Sequence, residues 1–364
     1  MNFGQLPHCP FVAAGRIEDP QFFVGRREEL DFITSRMTAV QPTSINVVGE
    51  RRIGKSSLLY HFFQTYEQRV QRYGKNANDY VVIYLSLQQV QCQQVNSFYQ
   101  AVAKELLKQH SVQKNSNLTN SLKVKPLDGK AFSEAIELWK QEKVLPVLCL
   151  DKFEELFDYP QQFDWGFYDN LRSLIDRNCL MVVAASRKKL SIYSKQHKLT
   201  SDFFNLAHIM PLKGLTEAEA LDLVRLPQTN IPSTQAVLTP ERQQLALSWG
   251  GRHPFLLQLA GRCLWEAQIQ NRPDDWAKAQ FEQQASILSP PRFDPHRWWL
   301  PLRWLFWSMP LNLGRLAKFI GASLDDFGNW TTGMLILITV ILVVLGLWRE
   351  EVRDFLKLLG GDND

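Results

Sequence analysis

Residues 47–59 have the sequence VVGERRIGKSSLL, and this stretch decides which fold the chain can adopt. Gly49, Gly54, Lys55 and Ser56 fit the pattern G-x-x-x-x-G-K-[ST], directly after a predicted strand and at the start of a predicted helix. Glycines allow backbone N–H groups to turn toward phosphate oxygens, and the positive end of the following helix strengthens that attraction. The stretch therefore predicts a phosphate-binding loop.

The predicted loop implies a nucleoside triphosphate and its metal ion as ligands. Lys55 would reach the β- and γ-phosphates, and the Ser56 hydroxyl would ligate Mg²⁺. We therefore predict that the chain binds ATP and Mg²⁺. The loop residues predicted to bind nucleotide are Gly49, Glu50, Arg51, Arg52, Ile53, Gly54, Lys55, Ser56 and Ser57.

The stretch LCLDKFEELF at 148–157 supplies the second part of the predicted site. An apolar parallel strand that ends at Asp151 would bring a carboxylate close to the loop serine, where it can hold a Mg²⁺-bound water. Strands that end in aspartate are common, but this one is the second strongly apolar run after the loop. Ser56 and Asp151 are therefore the predicted metal-site residues.

Short apolar runs alternate with helical stretches from residue 21 to residue 212. This alternation predicts an α/β domain whose mostly parallel sheet is covered by helices on both faces. The polar stretch 111–129 interrupts the pattern, and we interpret it as a surface loop. The predicted strands are 44–48, 80–85, 144–150, 180–185 and 207–212, and the predicted helices lie near 55–68, 95–109, 131–141 and 165–177.

Arg187 follows the predicted strand 180–185 and is a candidate for contact with the nucleotide. Ligands bind at the carboxyl ends of parallel strands, so Arg187 could sense the γ-phosphate. The alternative is that Arg187 is one of several solvated bases, together with Lys188 and Lys189.

The C-terminal part of the chain has a different composition. Thr216 and Glu219 predict a capping box at the start of a helical lobe. Residues 327–348 are 22 consecutive uncharged residues, long enough as a helix at ~1.5 Å per residue to cross a hydrocarbon core of ~30 Å. A buried helix, or two spans with 298–313 as a re-entrant piece, are the alternatives.

We predict six segments. These are an extended lead-in at 1–20, a P-loop α/β domain at 21–212, a helical lid domain at 213–285, a Trp-rich basic membrane-proximal segment at 286–326, a transmembrane helix at 327–348 and an amphipathic tail at 349–364.

Charge and cysteine content restrict the class of protein. The net charge of +4 is too small to indicate a nucleic-acid partner by itself. The five cysteines lie far apart without a CxxC pair, which favours a reduced compartment. We therefore expect a single-pass membrane protein with its ATPase domain in the cytoplasm.

Five stretches together resemble a known family. The chain is similar to the STAND class of P-loop NTPases, which are AAA+-related signalling ATPases of bacteria related to the NACHT and NB-ARC switches. The resemblance covers about residues 11 to 270. The stretches are FFVGRREEL (22–30), LCLDKFEELF (148–157), AASR (184–187) and GLTEAEALDLV with WGGRHPFLLQLAG (214–224 and 249–261).

The resemblance implies roles for four residues outside the loop. Gly25 and Arg26 would lie near the adenine side of the site, and Arg187 would occupy the first sensor position. Pro254 would close over the nucleotide from the helical lobe. The chain departs from the family pattern after this lobe, because neither a long repeat region nor a recognisable soluble effector enzyme follows it.

Lys152 occupies the position at which many AAA+-type relatives have a catalytic glutamate. A charged lysine cannot accept a proton, but Glu154 and Glu155 follow three and four residues after Asp151. In a regular helix the two would lie on roughly the same face, and either could orient the attacking water. The alternative is that both only favour the start of a helix.

The leading hypothesis is a membrane-anchored, slowly hydrolysing ATPase switch that self-assembles and acts through its membrane segment. Its partners would be membrane lipid, further copies of the chain, and a protein trigger or effector that the sequence does not identify. One alternative is a nucleotide-binding scaffold without hydrolysis. Another is a DNA-related AAA+ ATPase with 187–198 as a basic nucleic-acid contact.

Overall fold

A computed structural model describes residues 8–206, 208–227 and 236–288 of the chain. The predicted transmembrane helix at 327–348 and tail at 349–364 lie outside the described residues, as does the membrane-proximal segment beyond residue 288. Within the described ranges, no helix combines the length and the apolar character that spanning a membrane requires.

The described residues contain a five-stranded parallel sheet with the strand order β2-β3-β4-β1-β5. This confirms the predicted α/β parallel sheet. Because β1 lies between β4 and β5, the loop that follows β1 emerges at the carboxyl edge between two neighbouring strands. The strands are β1 (Ile45–Val48), β2 (Tyr80–Ser86), β3 (Leu145–Asp151), β4 (Met181–Ser186) and β5 (His208–Pro211).

Helices cover both faces of the sheet, and a group of helices follows β5. The helices up to β5 are α1 (Arg27–Met37), α2 (Lys55–Arg72), α3 (Val95–Leu107), α4 (His110–Lys114), α5 (Ser116–Ser121), α6 (Gly129–Gln141), α7 (Trp165–Asp176) and α8 (Leu190–Gln196). Those after β5 are α9 (Glu217–Val224), α10 (Pro240–Gly250), α11 (Pro254–Ile269) and α12 (Asp274–Leu288).

The central strand β3 shows why the apolar runs are continuous rather than alternating. Leu148 and Leu150 pack into one core cluster with α3, α6 and α7. Val147 and Cys149 pack on the opposite face, with α1 and α2. A parallel strand that is buried on both faces needs apolar side chains at every position.

The interpretation of 111–129 as a surface loop was wrong. This stretch contains α5 and most of α4, and its Val112, Leu118 and Leu127 side chains are buried in the core. These apolar side chains pack the two short helices against the core on one face of the sheet. The many polar residues between them make the apolar spacing hard to recognise in the sequence.

The helices after β5 form a separate core, and α9 begins as expected. The Thr216 side chain accepts a hydrogen bond from the Glu219 N–H, and the Glu219 carboxylate accepts one from the Thr216 N–H. Phe11, from the N-terminal part of the chain, is buried in this same cluster. The helical lobe is therefore built partly from residues that precede the sheet.

Candidate nucleotide site

A cavity of about 490 Å³ opens beside the loop after β1. Three groups of residues form most of its lining. They are residues 12–17, which we call the N-terminal strap; loop residues Arg51–Ser57 with Asp151 and Lys152; and Pro254, Phe255 and Gln258 of α11. The lining also includes Phe23, Val24, Arg26, Tyr84, Ser86, Leu215 and Leu223. The cavity therefore lies where the sheet edge, the strap and the helical lobe meet.

The backbone of the loop explains its glycines. Gly54 has φ of 101° immediately before α2, a conformation that side chains disfavour. A Cβ atom on Gly49 would lie 2.8 Å from Ile53 Cγ2 and 2.9 Å from the Leu212 carbonyl oxygen. Both positions need glycine, so the sequence pattern is matched by a tightly folded loop at the start of a helix.

Lys55 lies at the centre of this loop. Its Nζ donates hydrogen bonds to the carbonyl oxygens of Gly49 at 2.6 Å and Glu50 at 2.8 Å. Burial lowers the pKa of Lys55, and the nearby Glu154 and Asp151 carboxylates counteract part of that effect. The ammonium group thus lies over the loop backbone, where it interacts with Asp151 at the end of β3 and with Glu154 beyond it.

Asp151 is suited to a cation or to a water bound to one. The residue is 2% exposed, and the Tyr84 hydroxyl donates a 2.8 Å hydrogen bond to its Oδ2. Its Oδ1 is buried and has no hydrogen-bond partner. Buried carboxylate oxygens are costly to leave unpaired, so this orphaned oxygen, which belongs to a residue lining the same cavity as Ser56, fits the predicted metal site.

The two candidate glutamates point to different partners. β3 leads through Lys152, which has φ of 57°, into a 3-10 helix at Phe153–Asp158. Successive residues of a 3-10 helix are turned by about 120°, which separates neighbouring side chains. The expectation that Glu154 and Glu155 share a face does not hold in this geometry.

Glu154 is the glutamate that faces the loop. It forms an ion pair with Arg187 at 3.1 Å, and its Oε2 is buried without a partner. Burial raises the pKa of Glu154, while Arg187 and Lys55 act in the opposite direction. Glu155 instead accepts a hydrogen bond from Gln88 at 2.9 Å, and Lys152 bonds to the same Gln88 side chain.

Arg26 lines the cavity, but its guanidinium group is fully engaged by protein atoms. It contacts Glu29 at 2.8 Å and donates to the carbonyl oxygens of Ile53 at 3.2 Å and Lys213 at 2.6 Å. A Cβ atom on Gly25, whose φ is 78°, would lie 2.7 Å from the Glu219 carboxyl carbon. Gly25 and Arg26 therefore connect the loop, α1 and the helical lobe.

The helical lobe meets the loop directly through α11. Pro254 is the first residue of this helix, and the His253 side chain caps it by accepting from the Leu256 N–H. Burial lowers the pKa of His253. The Arg52 guanidinium lies 4.4 Å from the centre of the Phe255 ring, a cation–π contact between loop and lobe.

Sequence reasoning missed the strap. The Val12 N–H donates to the buried Gln258 Oε1 at 2.8 Å, and the Ile17 N–H donates to Ser57 Oγ at 3.0 Å. The strap thus joins α11 to the start of α2. The available signal was Gln258 itself, a lone amide within the apolar run PFLLQLAG.

Asn46 was also missed. Its Nδ2 donates to the Ala184 carbonyl oxygen at 3.1 Å and to Ser186 Oγ at 2.8 Å, and its Oδ1 accepts from the Leu190 N–H at 3.1 Å. These bonds fix the turn that carries Arg187. A polar residue inside the apolar strand SINVV was the signal.

A second, larger hollow of about 820 Å³ lies between α3, α6 and α7. Its central polar side chains satisfy one another, since Asn170 bonds to Ser133 at 2.9 Å and to Tyr99 at 3.2 Å. It contains none of the residues predicted to bind nucleotide.

Comparison with solved structures identifies the fold. The Walker-type ATPase PABY2304 of Pyrococcus abyssi is similar at 14% identity and a TM-score of 0.55, over 93% of this chain and 93% of that chain. The ORC2 protein of Aeropyrum pernix, in ADPNP–ADP complexes, is similar at 14% identity and 0.53, over 78% and 75%. These likenesses show a P-loop ATPase fold.

Further comparisons concern length and family. The chain spans 65% of the ORC1 protein of A. pernix, solved in complex with DNA, at 13% identity and a TM-score of 0.47 over 72% of this chain. A comparison with curated proteins returned no match. The family model described as Novel STAND NTPase 1 matches residues 12–279. The match covers the strap, the loop, Asp151, Glu154 and the helical lobe as far as residue 279, and the chain belongs to this STAND NTPase family.

Proposed function

We propose that this protein binds ATP with Mg²⁺, hydrolyses it slowly, and uses the nucleotide state as a switch. The observation that supports this most strongly is one cavity that joins the phosphate-binding loop, the unpartnered oxygen of Asp151 and the helical lobe. A rigid binding pocket would not need a lobe that contacts the loop both directly, through Phe255, and through a separate strap.

The loop and Asp151 would bind the phosphates and the metal. Lys55 would exchange its two carbonyl partners for phosphate oxygens, which form stronger, charge-assisted hydrogen bonds. Ser56 and Asp151 would hold the Mg²⁺, whose charge would offset that of the phosphates when it is bound.

Glu154 is the group that would accept a proton from the attacking water. Its buried, unpartnered Oε2 and its raised pKa suit a general base, because proton transfer is most efficient when the pKa of the base approaches the working pH. When Arg187 contacts the γ-phosphate, it would either break its ion pair with Glu154 or contact both groups at once. Because Glu154 and Arg187 form an ion pair with each other, that pair would have to rearrange before hydrolysis, which would make turnover slow.

The switch would operate through contacts between loop and lobe. A nucleotide on the loop would compete for Arg52, which holds Phe255, and would fill the space between the strap and Pro254. The lobe and strap would then take a second arrangement, the kind of domain closure that other nucleotide switches use. Self-assembly of the chain would follow from this change.

The main test is nucleotide binding and turnover by the full chain. In wild type, fluorescent ATP should bind in the presence of Mg²⁺, with slow phosphate release. Lys55→Ala should weaken binding roughly 10- to 100-fold, since a charge-assisted contact is lost. Lys188→Ala, an exposed lysine outside the cavity, is the matched control. Equal binding by wild type and Lys55→Ala would contradict the proposal.

The membrane part of the proposal rests on the uncharged stretch at 327–348. The full chain should remain in the membrane pellet after extraction at alkaline pH. It should also assemble more readily with ATP than with ADP in sedimentation experiments. Release of the chain by alkaline extraction would contradict the proposed membrane anchor. It would not contradict the proposed ATPase activity.

A nucleic-acid-binding ATPase is the second candidate. Four lysines on and around α8 are exposed and form no ion pair within the described residues: Lys188, Lys189, Lys195 and Lys198. Such a surface would bind nucleic acid with a strong salt dependence. Fluorescence anisotropy with duplex DNA tests this candidate, and binding that Lys195→Glu with Lys198→Glu does not weaken would argue against it.

A further inference from the structure

We propose that Tyr84 is the positioning residue for Asp151, and that Arg16 of the N-terminal strap holds the Tyr84 ring in place. This inference rests on the proposed function, since it assigns to Asp151 the metal-binding role. It adds two residues that neither the sequence motif nor the family match assigns.

The position of Tyr84 on β2 explains how it reaches Asp151. In the register of the two strands, Tyr84 lies opposite Cys149, and Asp151 lies opposite Ser86. Tyr84 and Asp151 are therefore diagonal neighbours on the same face of the sheet, a separation that only a long side chain can bridge. The 2.8 Å bond from the Tyr84 hydroxyl to Asp151 Oδ2 uses that reach.

The bond determines which oxygen of Asp151 remains available. A tyrosine hydroxyl next to a carboxylate donates its proton, and burial, reinforced by the Asp151 charge, raises the pKa of Tyr84. With Oδ2 occupied, Oδ1 is the buried oxygen without a partner. Hydrogen bonds of this kind to metal ligands commonly set the orientation of the ligand and change metal affinity by 10- to 100-fold.

The strap restrains the other end of this arrangement. The Arg16 guanidinium lies 4.9 Å from the centre of the Tyr84 ring and 4.1 Å from that of Tyr60. Tyr60 also contacts Tyr84 edge to face, with ring centres 5.2 Å apart. The ring of Tyr84 is thus confined between a cation and a second ring.

Arg16 is itself placed by the two strap bonds already described, at Val12 and Ile17. Residues 12–17 line the cavity, so a ligand there touches the same segment that restrains Tyr84. The strap therefore contacts Tyr84 through Arg16, and Tyr84 contacts Asp151. Through these contacts the position of the strap affects the orientation of the Asp151 carboxylate.

The test measures metal affinity separately from nucleotide affinity. Mn²⁺ is titrated into the full chain saturated with ADPNP, and free Mn²⁺ is followed by electron paramagnetic resonance. Fluorescent ADP binding is measured in EDTA. Tyr84→Phe keeps the ring and removes the hydroxyl, which leaves both oxygens of Asp151 unpaired, so a moderate loss of thermal stability is expected and binding is measured well below the unfolding transition. Its Mn²⁺ dissociation constant should rise roughly 10- to 100-fold, with ADP affinity in EDTA within about twofold of wild type.

Two further variants complete the test. Tyr60→Phe is the matched control, because Tyr60 contacts Arg16 in the same way but does not bond to Asp151; its Mn²⁺ affinity should equal that of wild type. Arg16→Leu should weaken Mn²⁺ binding several-fold, and should add little to the effect of Tyr84→Phe when the two are combined.

Three results would overturn the inference. The first is unchanged Mn²⁺ affinity in Tyr84→Phe. The second is an equal loss of ADP affinity in EDTA, which would mean that Tyr84, a residue of the cavity lining, acts by contacting the nucleotide and not by positioning Asp151. The third is failure of the wild type to bind either ADP in EDTA or ADPNP with Mn²⁺. That result would reject the proposed function itself. It can be told apart from the other two because it is seen in the wild type alone.

Discussion

The two ends of the cavity are built in different ways. The loop end consists of Arg51–Ser57 and Asp151, which lie at the carboxyl ends of two strands of one sheet and are mostly polar or charged. The lid end consists of the strap with Pro254, Phe255 and Gln258, which are distant in sequence and largely apolar. Charge at the loop end suits phosphates and a metal, whereas the lid end depends on packing. We therefore expect substitutions at the loop end to change chemistry, and those at the lid end to change stability and closure.

The largest effect should come from the 3-10 helix that follows Asp151 of the loop end, where two neighbouring glutamates have different surroundings. Glu154→Gln removes the carboxylate that faces Lys55 and should lower turnover roughly 10²- to 10⁴-fold while ATP still binds. Glu155→Gln makes the same chemical change at a residue bonded to Gln88, and should leave turnover within about twofold. Phosphate release under saturating ATP measures both.

The opposite ranking of these two variants would show that the 3-10 helix after β3 rearranges when nucleotide binds. Equal and negligible turnover in wild type and both variants would instead favour the scaffold without hydrolysis.

An intermediate effect is expected at the lid end, from Gly261→Ala in α11. Helix propensity alone predicts that alanine stabilises a helix by up to about 1 kcal/mol relative to glycine. The added Cβ atom, however, would lie 2.6 Å from the Phe11 ring. We expect a net loss of about 1–3 kcal/mol in the free energy of unfolding, measured by chemical denaturation.

The sign of this effect has its own control. In a Phe11→Ala background the clash is gone, so Gly261→Ala should become neutral or stabilising, as a double-mutant cycle would show. Destabilisation of similar size in both backgrounds would mean that Phe11 is not the residue that excludes a side chain at position 261.

The smallest effect concerns the pH dependence of turnover. Because burial raises the pKa of Glu154, its neutral form persists to higher pH than that of an ordinary glutamate, and activity should be lost on acidification at a correspondingly higher pH. Arg187→Leu removes one of the charges that counteract this shift. The acid limb should therefore move upward, and only slightly, because the Arg187 side chain is 54% exposed and its charge is screened by solvent.

The pH–rate profiles of wild type, Arg187→Leu and the control Lys188→Leu test this prediction. A downward shift of the acid limb in Arg187→Leu would contradict the assignment of Glu154 as the titrating base.

Much of the loop end could be predicted because its information is local. Gly49, Lys55 and Asp151 each follow an apolar strand, and parallel strands bring their carboxyl ends to one edge whatever the rest of the chain does. The strand positions were predicted to within one or two residues for the same reason: buried parallel strands need unbroken apolar runs. The stretch 111–129 was misjudged because its few buried side chains are separated by polar residues.

The division of roles after β3 shows where sequence information ends. The sequence DKFEE at 151–155 indicates acidic side chains beside the phosphate-binding loop. It does not determine which glutamate faces the loop, because an α-helix and a 3-10 helix would place the two differently. The left-handed conformation at Lys152 and the following 3-10 helix select Glu154 for the loop and Glu155 for Gln88.

The strap depends still more on the folded chain. Val12 and Gln258 are 246 positions apart, and Arg16 reaches Tyr84 only because β2 lies beside β3 at the edge of the sheet. Local patterns determine which segments become strands, loops and caps, since those depend on backbone geometry and burial over a few residues. Contacts between distant segments depend on how the layers pack, and that packing places a tyrosine on one oxygen of Asp151 and leaves the other free.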